Sequence, residues 1–224
     1  GEVLAIFLIN YWKHKIKNNF NLVELGPGKG TLLEDILRTS TVNQEFLNSI
    51  SLTLIEKNKS LIDIQKKNIN HKNITWCEEF DISNKNIPSI IYSNEFFDCF
   101  PVQQFHKKER WYEKYVNYNE VEQNFTLVSH QVEDEKILKS LEKFEQVKVA
   151  EIARSRDEYF ELVCAFIKKH KGVFITIDYG YKNPPNYFSL QTIYKHKKTH
   201  LFENIGNQDI TAHVNFDEFI FIAN

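Results

Sequence analysis

The run from residue 22 to residue 31 reads Leu22-Val23-Glu24-Leu25-Gly26-Pro27-Gly28-Lys29-Gly30-Thr31. Its apolar beginning predicts a short buried strand, and the helical spacing that resumes at Thr31 predicts a helix directly afterwards. The glycines between them allow a tight turn and let a bulky ligand lie against bare backbone at a helix N-terminus. Strand, glycine-rich turn and helix in this order predict the first unit of an alternating sheet with a ligand site at the turn.

The alternation of strand and helix continues along the chain on both sides of this run. Apolar segments predict strands at 20–25, 51–56, 74–77, 90–93 and 172–178. Helical spacing predicts helices at 3–12, 31–38, 58–70, 135–144 and 155–169, the first of them largely buried. This order implies an α/β fold, with a mostly parallel twisted sheet and helices on both faces.

Two segments of alternating polarity, 111–118 and 125–131, interrupt this plan. They predict a β-hairpin around Asn119-Glu120, inserted at about residues 104–132. With 224 residues and 42% hydrophobic composition, the chain is expected to form a single domain over 1–224.

Composition and charge exclude several classes of protein. The 18 Phe, 10 Tyr and 3 Trp argue against disorder, and a net charge of −2 gives no global attraction to nucleic acid. Three Cys without C-x-x-C spacing suit free thiols in a reducing compartment, which predicts a cytoplasmic location. The longest apolar run, residues 3–9, is far shorter than the roughly 20 residues that span a bilayer, so we expect no membrane insertion.

The glycine-rich turn suits one cofactor better than another. Thr31 occupies the place where a dinucleotide fingerprint has its third glycine, which argues against NAD. The turn fits S-adenosyl methionine, whose amino-acid end can pack on the backbone while a nearby acid supplies a carboxylate. The predicted cofactor residues here are Glu24, Gly26, Pro27, Gly28 and Gly30. The alternative is a glycine-rich turn without a ligand.

Polar residues at the ends of other strands extend this prediction. Glu56 ends the second strand, where a carboxylate can accept hydrogen bonds from ribose hydroxyls, and its alternative is a solvated charge. Asp81 and its neighbour Phe80 follow the third strand and could lie near an adenine, although packing is the simpler interpretation. Asn94, at the end of the fourth strand, is a further cofactor candidate, and its alternative is to cap a turn.

Glu95 and Asp98 follow the fourth strand and are three residues apart, so a turn would place both acids on one side. Two carboxylates suit a guanidinium, which they can hold bidentately and orient for alkylation. No metal is needed for this chemistry. His213, in an apolar stretch, could accept a proton or a hydrogen bond, and its alternative is a satisfied core histidine.

Four motifs in this order resemble the MidA family of mitochondrial and bacterial methyltransferases. They are V-E-L-G-P-G-K-G-T-L-L-E-D-I-L-R, N-E-F-F-D-C-F-P-V-Q-Q-F, I-D-Y-G-Y and D-I-T-A-H-V-N-F, and they span Val23 to Phe216. The resemblance implies a class I, Rossmann-like methyltransferase fold that uses S-adenosyl methionine. It also implies symmetric dimethylation of arginine on a subunit of respiratory complex I, with cofactor contacts by Gly26, Gly28 and Glu56 and acceptor contacts by Glu95 and Asp98.

These observations predict an arginine methyltransferase acting on a protein, in the bacterial cytoplasm or alternatively in the mitochondrial matrix. Segments that the family has before Gly1 and after Asn224 are expected to be missing. Two other functions stay open. One is an inactive scaffold that assists complex I assembly, and the other is a methyltransferase for a small molecule or a nucleic acid.

Overall fold

A computed structural model describes residues 1–82 and 86–224. The chain forms two compact units. Unit 1 comprises residues 1–96 and 161–177, and unit 2 comprises residues 97–160 and 178–224. The single domain expected over 1–224 stays a prediction beside this division.

The centre of unit 1 is a five-stranded sheet with the order β3-β2-β1-β4-β9, in which every neighbouring pair is parallel. With strands numbered along the whole chain, its members are β1 (Phe20–Leu25), β2 (Ile50–Ile55), β3 (Ile74–Cys77), β4 (Ser89–Asn94) and β9 (Gly172–Ile177). All six residues of β1 are buried. Burial along a whole strand is typical of parallel strands covered on both faces, and the sheet confirms the predicted α/β fold.

Helices precede β1, β2, β3 and β9 along the chain. They are α1 (Glu2–Tyr11), which continues into a π-helical turn (Trp12–Ile16), α2 (Thr31–Thr39), a 3₁₀ turn (Ser40–Val42), α3 (Gln44–Ser49), α4 (Lys59–Asn68) and α6 (Arg154–His170). The division between the units falls within α6. The sequence predicts that the first helix is largely buried, and this is wrong for one of its faces. Leu8 is buried, but Val3 and Ile6 are 83% and 56% exposed.

The core of unit 1 joins the apolar faces of its helices to the sheet. Leu8 of α1, Ile36 of α2 and Phe46 of α3 pack in one cluster with Leu22 of β1 and Tyr92 of β4. Local side-chain caps fix where two of the helices begin. The side-chain oxygens of Asn43 and Asn58 accept backbone N–H bonds at the starts of α3 and α4. These contacts hold the strand ends in place for the site described below.

Unit 2 contains a four-stranded antiparallel sheet with the order β7-β6-β5-β8. Its strands are β5 (Gln103–Lys107), β6 (Trp111–Asn119), β7 (Asn124–Gln131) and β8 (Val149–Ile152). Strands β6 and β7 pair from Tyr112↔Gln131 to Asn119↔Asn124, which confirms the predicted hairpin. Its turn is closed by Asn119, whose Oδ1 accepts bonds from two following backbone amides.

The remainder of unit 2 consists of short elements. They are α5 (Glu135–Leu141), a 3₁₀ turn (Glu142–Phe144), β10 (Gly180–Tyr181), β11 (Gln191–Tyr194), β12 (Lys197–Thr199), β13 (Asp209–Thr211), β14 (Val214–Asn215) and α7 (Phe216–Ala223). Strands β12-β11-β13 form an antiparallel sheet, and β10 pairs with β14. Within the described part of the chain, no helix combines the length and the apolar character that crossing a membrane requires.

Candidate functional site

The strand order of unit 1 reverses between β1 and β4. From β1 the chain proceeds to β2 and β3 on one side, whereas β4 and β9 lie on the other side. The carboxyl ends of β1 and β4 lead to Gly26 and Glu95 respectively. Open parallel sheets bind their ligands at such a switch point, outside the carboxyl ends of the strands. The predicted cofactor turn and one predicted acceptor residue therefore both follow strands at the switch point.

Backbone hydrogen bonds hold the glycine-rich turn against β2. The N–H of Gly26 donates to the carbonyl of Ile55 at 3.0 Å, and the N–H of Gly30 donates to the carbonyl of Pro27 at 2.8 Å. Gly26, Gly28 and Gly30 have φ angles of +62°, +57° and +83°. This left-handed region is unfavourable for residues with a side chain, so the turn requires glycine on conformational grounds alone.

The three glycines differ in what lies next to their α-carbons. A Cβ added at Gly26 would lie 2.6 Å from a ring carbon of Phe96, and one at Gly30 would lie 2.8 Å from Cδ1 of Ile69. A Cβ added at Gly28 would meet nothing within 4 Å. Packing therefore explains the absence of a side chain at Gly26 and Gly30, whereas Gly28 presents bare backbone to open space. Of the three, Gly28 fits a bound ligand best.

Glu56 follows β2 and is half-buried. Its own N–H donates to the carbonyl of Cys77 at 2.9 Å, so the backbone at this position is fixed by the end of β3. Its Oε1 accepts a bond of 2.9 Å from the N–H of Asn58. A carboxylate oxygen accepts two hydrogen bonds, so this side chain keeps capacity for the hydroxyls of a ligand.

Glu24 lies inside the sheet and is 2% exposed. The hydroxyl of Tyr92 donates to its Oε2 at 3.0 Å. Burial raises the pKa of Glu24 to about 8, against the smaller opposing effect of this hydrogen bond. The predicted role of Glu24 toward the cofactor stays a prediction, because the structure shows its carboxyl group buried in the sheet with Tyr92 as its hydrogen-bond partner.

Phe80 and Asp81 follow β3. The Phe80 ring packs edge-to-face on Phe166 of α6, with ring centres 5.5 Å apart, which supports the packing interpretation for Phe80. Asp81 lines a hollow of about 250 Å³ whose other lining residues are Phe80, Ile82, Leu162, Ala165, Phe166, Lys169 and His170. The hollow is largely apolar and has one carboxylate, a combination that suits a flat heteroaromatic ring with an amino group.

Asn94 ends β4 and Glu95 follows it, and both side chains are exposed. The N–H of Glu95 donates to the carbonyl of Ile177 at 2.9 Å, which extends the pairing of β4 with β9. Glu95 has a φ of +50°, an unfavourable angle for a residue with a side chain. Such conformations cluster at functional sites, so this backbone marks Glu95 as a candidate independently of its charge.

Asp98 and His213 belong to unit 2. Asp98 is 7% exposed, and its carbonyl accepts the N–H of Ala212 at 2.8 Å. The backbone of His213 is held at both ends, since its N–H donates to Oγ of Ser189 at 2.9 Å and its carbonyl accepts Nη1 of Arg156 at 3.1 Å. Because Glu95 belongs to unit 1, the joint role of the two acids stays a prediction, as does the role of His213.

Gln65 and Trp76 belong to the site region, and sequence reasoning missed both. Gln65 is fully buried on α4, and its amide bonds to the carbonyl of Gly28 and to the indole N–H of Trp76. One sequence pattern could have revealed Gln65. It falls four residues after Leu61 and four before Ile69, in the middle of an apolar helical stripe. A polar residue at such a position requires buried partners.

The sequence matches, over residues 3–223, the family profile described as S-adenosyl-L-methionine-dependent methyltransferase. The chain belongs to this methyltransferase family. Membership confirms the family resemblance found in the motifs, and it agrees with S-adenosyl methionine as the expected cofactor. The match extends from α1 to the end of α7, so it covers both units.

Curated proteins are similar in sequence to this chain over most of its length. The "protein arginine methyltransferase NDUFAF7 homolog, mitochondrial" of Caenorhabditis elegans is 26% identical, over 96% of this chain and 56% of that protein. The "protein arginine methyltransferase NDUFAF7, mitochondrial" of Rattus norvegicus is 27% identical, over 96% of this chain and 55% of that protein. The chain thus spans about half the length of these curated relatives.

Solved structures share the fold. A COG1565 superfamily member from Burkholderia thailandensis, bound to S-adenosyl-homocysteine, superposes with a TM-score of 0.79 over 99% of this chain and 59% of that chain, at 18% identity. A native structure of a COG1565 protein from the same organism gives a TM-score of 0.81 over 99% of this chain and 61% of that chain, also at 18% identity. These likenesses confirm the predicted fold class.

Proposed function

We propose that this chain transfers a methyl group from S-adenosyl methionine to a guanidinium nitrogen of an arginine in a protein. The observation that carries the proposal is the open turn at Gly28, at the switch point of a sheet in a chain of this methyltransferase family. The finer part of the proposal, the arginine acceptor, is supported by the names of the relatives at 26% and 27% identity.

The residues present fit the cofactor. Bare backbone at Gly28 leaves room for the amino-acid end of the ligand, and Glu56 offers carboxylate oxygens to ribose hydroxyls. Asp81 lines a hollow suited to an adenine ring. When bound, S-adenosyl methionine supplies an electrophilic methyl group on a positively charged sulfur. The roles of Gly26, Pro27 and Gly30 in this proposal are to shape the turn.

Glu95 is the proposed acceptor residue of unit 1. Its exposed carboxylate can accept two N–H bonds from one edge of a guanidinium and hold that group in a single orientation. A carboxylate also draws the positive charge of the guanidinium toward itself, which leaves the opposite nitrogen better able to attack. Asn94, one residue earlier, is proposed to contact the cofactor. Asp98 and His213 keep their proposed acceptor roles within unit 2.

We propose a subunit of respiratory complex I as the protein acceptor, because the resemblance to the MidA family implies it. The curated relatives are named as mitochondrial, which supports the mitochondrial alternative for location, and the bacterial cytoplasm stays a prediction. The β6–β7 hairpin exposes aromatic and aliphatic side chains that suit contact with another protein, namely Tyr115, Val116, Tyr118, Phe125 and Leu127.

Calorimetric titration with S-adenosyl-homocysteine tests the cofactor site. We expect the unsubstituted chain to bind and Gly28→Asn to lose at least tenfold in affinity. Asn tolerates the left-handed backbone, and its side chain would enter the open space where the ligand is proposed to lie. Lys29→Asn, a substitution beside the same turn, is the matched control. Equal affinity of Gly28→Asn and the control would contradict the proposed site.

Mass spectrometry of complex I subunits incubated with the chain and S-adenosyl methionine tests the acceptor. We expect a gain of one or two methyl groups on arginine, abolished in Glu95→Gln while the affinity for S-adenosyl-homocysteine stays within about threefold. Gln keeps the size of the side chain but removes the charge that orients the guanidinium. Equal loss of cofactor binding and methyl transfer would mean that Glu95 is a cofactor residue. Methyl transfer to RNA or to a free amino acid would contradict the proposed protein acceptor.

The exposed apolar side chains of the β6–β7 hairpin also favour a second candidate, a scaffold that binds a complex I subunit without catalysis. A pull-down of the subunit by Gly28→Asn distinguishes the two candidates. Undiminished capture together with no methylation by the unsubstituted chain would favour the scaffold. Methylation that disappears in Gly28→Asn would favour the enzyme.

A further inference from the structure

The side chain of Gln65 joins three segments of the candidate cofactor site. Its Nε2 donates to the carbonyl of Gly28 at 2.7 Å and lies 3.5 Å from Oε2 of Glu56, at the upper limit of hydrogen-bond length. Its Oε1 accepts the indole N–H of Trp76 at 3.0 Å. Gln65 is 0% exposed, so its amide is satisfied by these groups and not by solvent.

Trp76 determines which way the amide of Gln65 points. An indole N–H only donates, so the oxygen of Gln65 must face β3 and the nitrogen must face Gly28 and Glu56. The two N–H groups of the amide then match two acceptors, a carbonyl and a carboxylate. The reverse orientation would place an oxygen against both acceptors. The indole therefore fixes the donor edge of Gln65 toward the cofactor residues.

The carboxylate of Glu56 is held from two directions. Its Oε1 accepts the N–H of Asn58, and Asn58 in turn caps α4 through its own side chain. Its Oε2 faces Nε2 of Gln65, two turns further along the same helix. Each oxygen retains capacity for one more hydrogen bond. A carboxylate fixed in this way presents its remaining lone pairs in one direction, as recognition of two adjacent hydroxyls requires.

The helix also approaches the turn through packing. A Cβ on Gly30 would lie 2.8 Å from Ile69 and 3.6 Å from Cγ of Gln65, so α4 lies directly against the glycine-rich turn. A shift of α4 would therefore move the Gly28 carbonyl, the Gly30 backbone and the Glu56 carboxylate together. Gln65 is the polar contact that keeps the Gly28 turn and the Glu56 carboxylate in fixed positions relative to each other.

We propose that Gln65, oriented by Trp76, is a positioning residue that couples the Gly28 turn to Glu56 and so sets the affinity for the ribose of the cofactor. This inference rests on the proposed cofactor site. It adds a buried residue on α4 that acts through Gly28 and Glu56. It predicts that loss of the amide weakens ligands with ribose hydroxyls more than ligands without them.

The test uses Gln65→Leu and calorimetric titration with two probes, S-adenosyl-homocysteine and its 2′,3′-dideoxyribose analogue. We expect a loss of about 10- to 100-fold for the first probe and less than about threefold for the second. Ile50→Val, at the amino end of β2, is the control for general destabilisation, since it removes one buried methylene far along the strand from Glu56. It should change neither affinity.

A double-mutant cycle decides whether Gln65 acts through Glu56. In a Glu56→Gln background, Gln65→Leu should weaken S-adenosyl-homocysteine binding by less than about threefold, because the group that it positions is already changed. Additive losses would overturn the proposal, as would an equal loss for both probes or an unchanged affinity in Gln65→Leu. Failure of the unsubstituted chain to bind S-adenosyl-homocysteine would overturn the proposed function as well, and this result is obtained before any variant is made.

Gln65→Glu keeps the proposal testable if Gln65→Leu does not fold. The introduced carboxyl group still accepts from Trp76, but when ionised it repels the Glu56 carboxylate and the Gly28 carbonyl. We expect affinity for S-adenosyl-homocysteine to fall at least tenfold at pH 8 and to recover at low pH, where a protonated carboxyl again donates. A purely structural role would give a loss that does not change with pH, and that result would overturn the proposal.

Discussion

Glu24 in unit 1 and Glu151 in unit 2 are the same residue type, both lie in β-strands, and they are only 2% and 7% exposed. Their surroundings differ. Oε1 of Glu151 accepts Nε2 of Gln104 and the N–H groups of Ser189 and Leu190, at 2.7, 3.1 and 3.3 Å, and Oε2 accepts the Ser189 hydroxyl. Glu24 receives a hydroxyl bond from Tyr92, and burial raises its pKa to about 8.

Burial alone therefore does not determine whether a carboxyl group anchors the backbone or keeps a proton. Glu151 collects donors from β5 and from the segment before β11, so it anchors the backbone of unit 2. Glu24 lies between apolar strands and holds a proton at neutral pH, so it is a site where a nearby positive charge would favour ionisation. The first group stabilises by accepting many hydrogen bonds, whereas the second makes stability depend on pH.

The largest expected change in the free energy of unfolding comes from replacing Glu151. Glu151→Leu leaves the amides of Ser189 and Leu190 and the amide of Gln104 without their acceptor in a buried region. We expect the free energy of unfolding to fall by about 3–5 kcal/mol, measured by urea denaturation at pH 7. Glu145→Leu, at an exposed position, should stay within about 0.5 kcal/mol. A loss no larger than that of the control would remove the contrast with Glu24.

Glu24→Gln should remove a pH dependence. The folded-state pKa of about 8 lies above the ordinary value of 4.5, so between these values the folded chain keeps a proton that the unfolded chain has released. The free energy of unfolding therefore falls as pH rises through this window, by about 1 kcal/mol per pH unit. Urea denaturation from pH 5 to pH 9 should show this slope in the unsubstituted chain and in the exposed control Glu34→Gln. Glu24→Gln should lack it, and a retained slope would show that another group is responsible.

Tyr92→Phe should sharpen the same measurement. The hydrogen bond from Tyr92 lowers the pKa of Glu24, so its loss moves the end of the falling window to higher pH. We also expect a loss of about 1 kcal/mol in the free energy of unfolding at pH 6, since a buried acceptor loses its donor. Tyr11→Phe, at a half-buried position on α1, is the control. If the free energy of unfolding stops falling at the same pH in both variants, the hydrogen bond from Tyr92 does not lower the pKa of Glu24.

Asp157 should show the smallest effect, because it is only partly buried. Burial raises its pKa to about 6 and the guanidinium of Arg156 opposes this, so unit 2 loses stability as pH rises from 3.8 to about 6. The total loss of stability over this window should be smaller than that for Glu24, and Asp157→Asn should abolish it. Titration of the unfolding free energy between pH 4 and pH 6.5, with Glu158→Gln as control, measures this. A total loss equal to that of Glu24 would mean that exposure does not matter here.

The sequence predicted the parts of the fold that local patterns determine. Strands β1, β2 and β4 are rich in apolar residues, and the hairpin β6–β7 alternates around a favourable turn. Strands β8 and β11 have only four residues each, and in the sequence neither forms an apolar run long enough to mark a strand. Their pairing depends on partners elsewhere in the chain.

The candidate site shows the same limit. Gly28 and Glu56 were identified because each follows a strand directly. The pKa of Glu24 is raised by burial and lowered by a hydrogen bond from Tyr92, 68 residues away, and the carbonyl of Gly28 accepts from Gln65, 37 residues away. Which glycine faces open space likewise depends on Phe96 and Ile69. Contacts of this kind are set by tertiary packing, and a single sequence does not contain them in readable form.

The place of β9 at the end of the sheet order has a consequence for biosynthesis. Its residues pair with β4 across a separation of more than 80 positions, as between Ser93 and Thr176. During translation, β4 therefore emerges and keeps one edge unpaired while residues 95–171 are made. Such long-range pairing slows folding, and an open apolar edge invites pairing with other nascent chains. The chain should depend on chaperones most at the moment just before residue 177 leaves the ribosome.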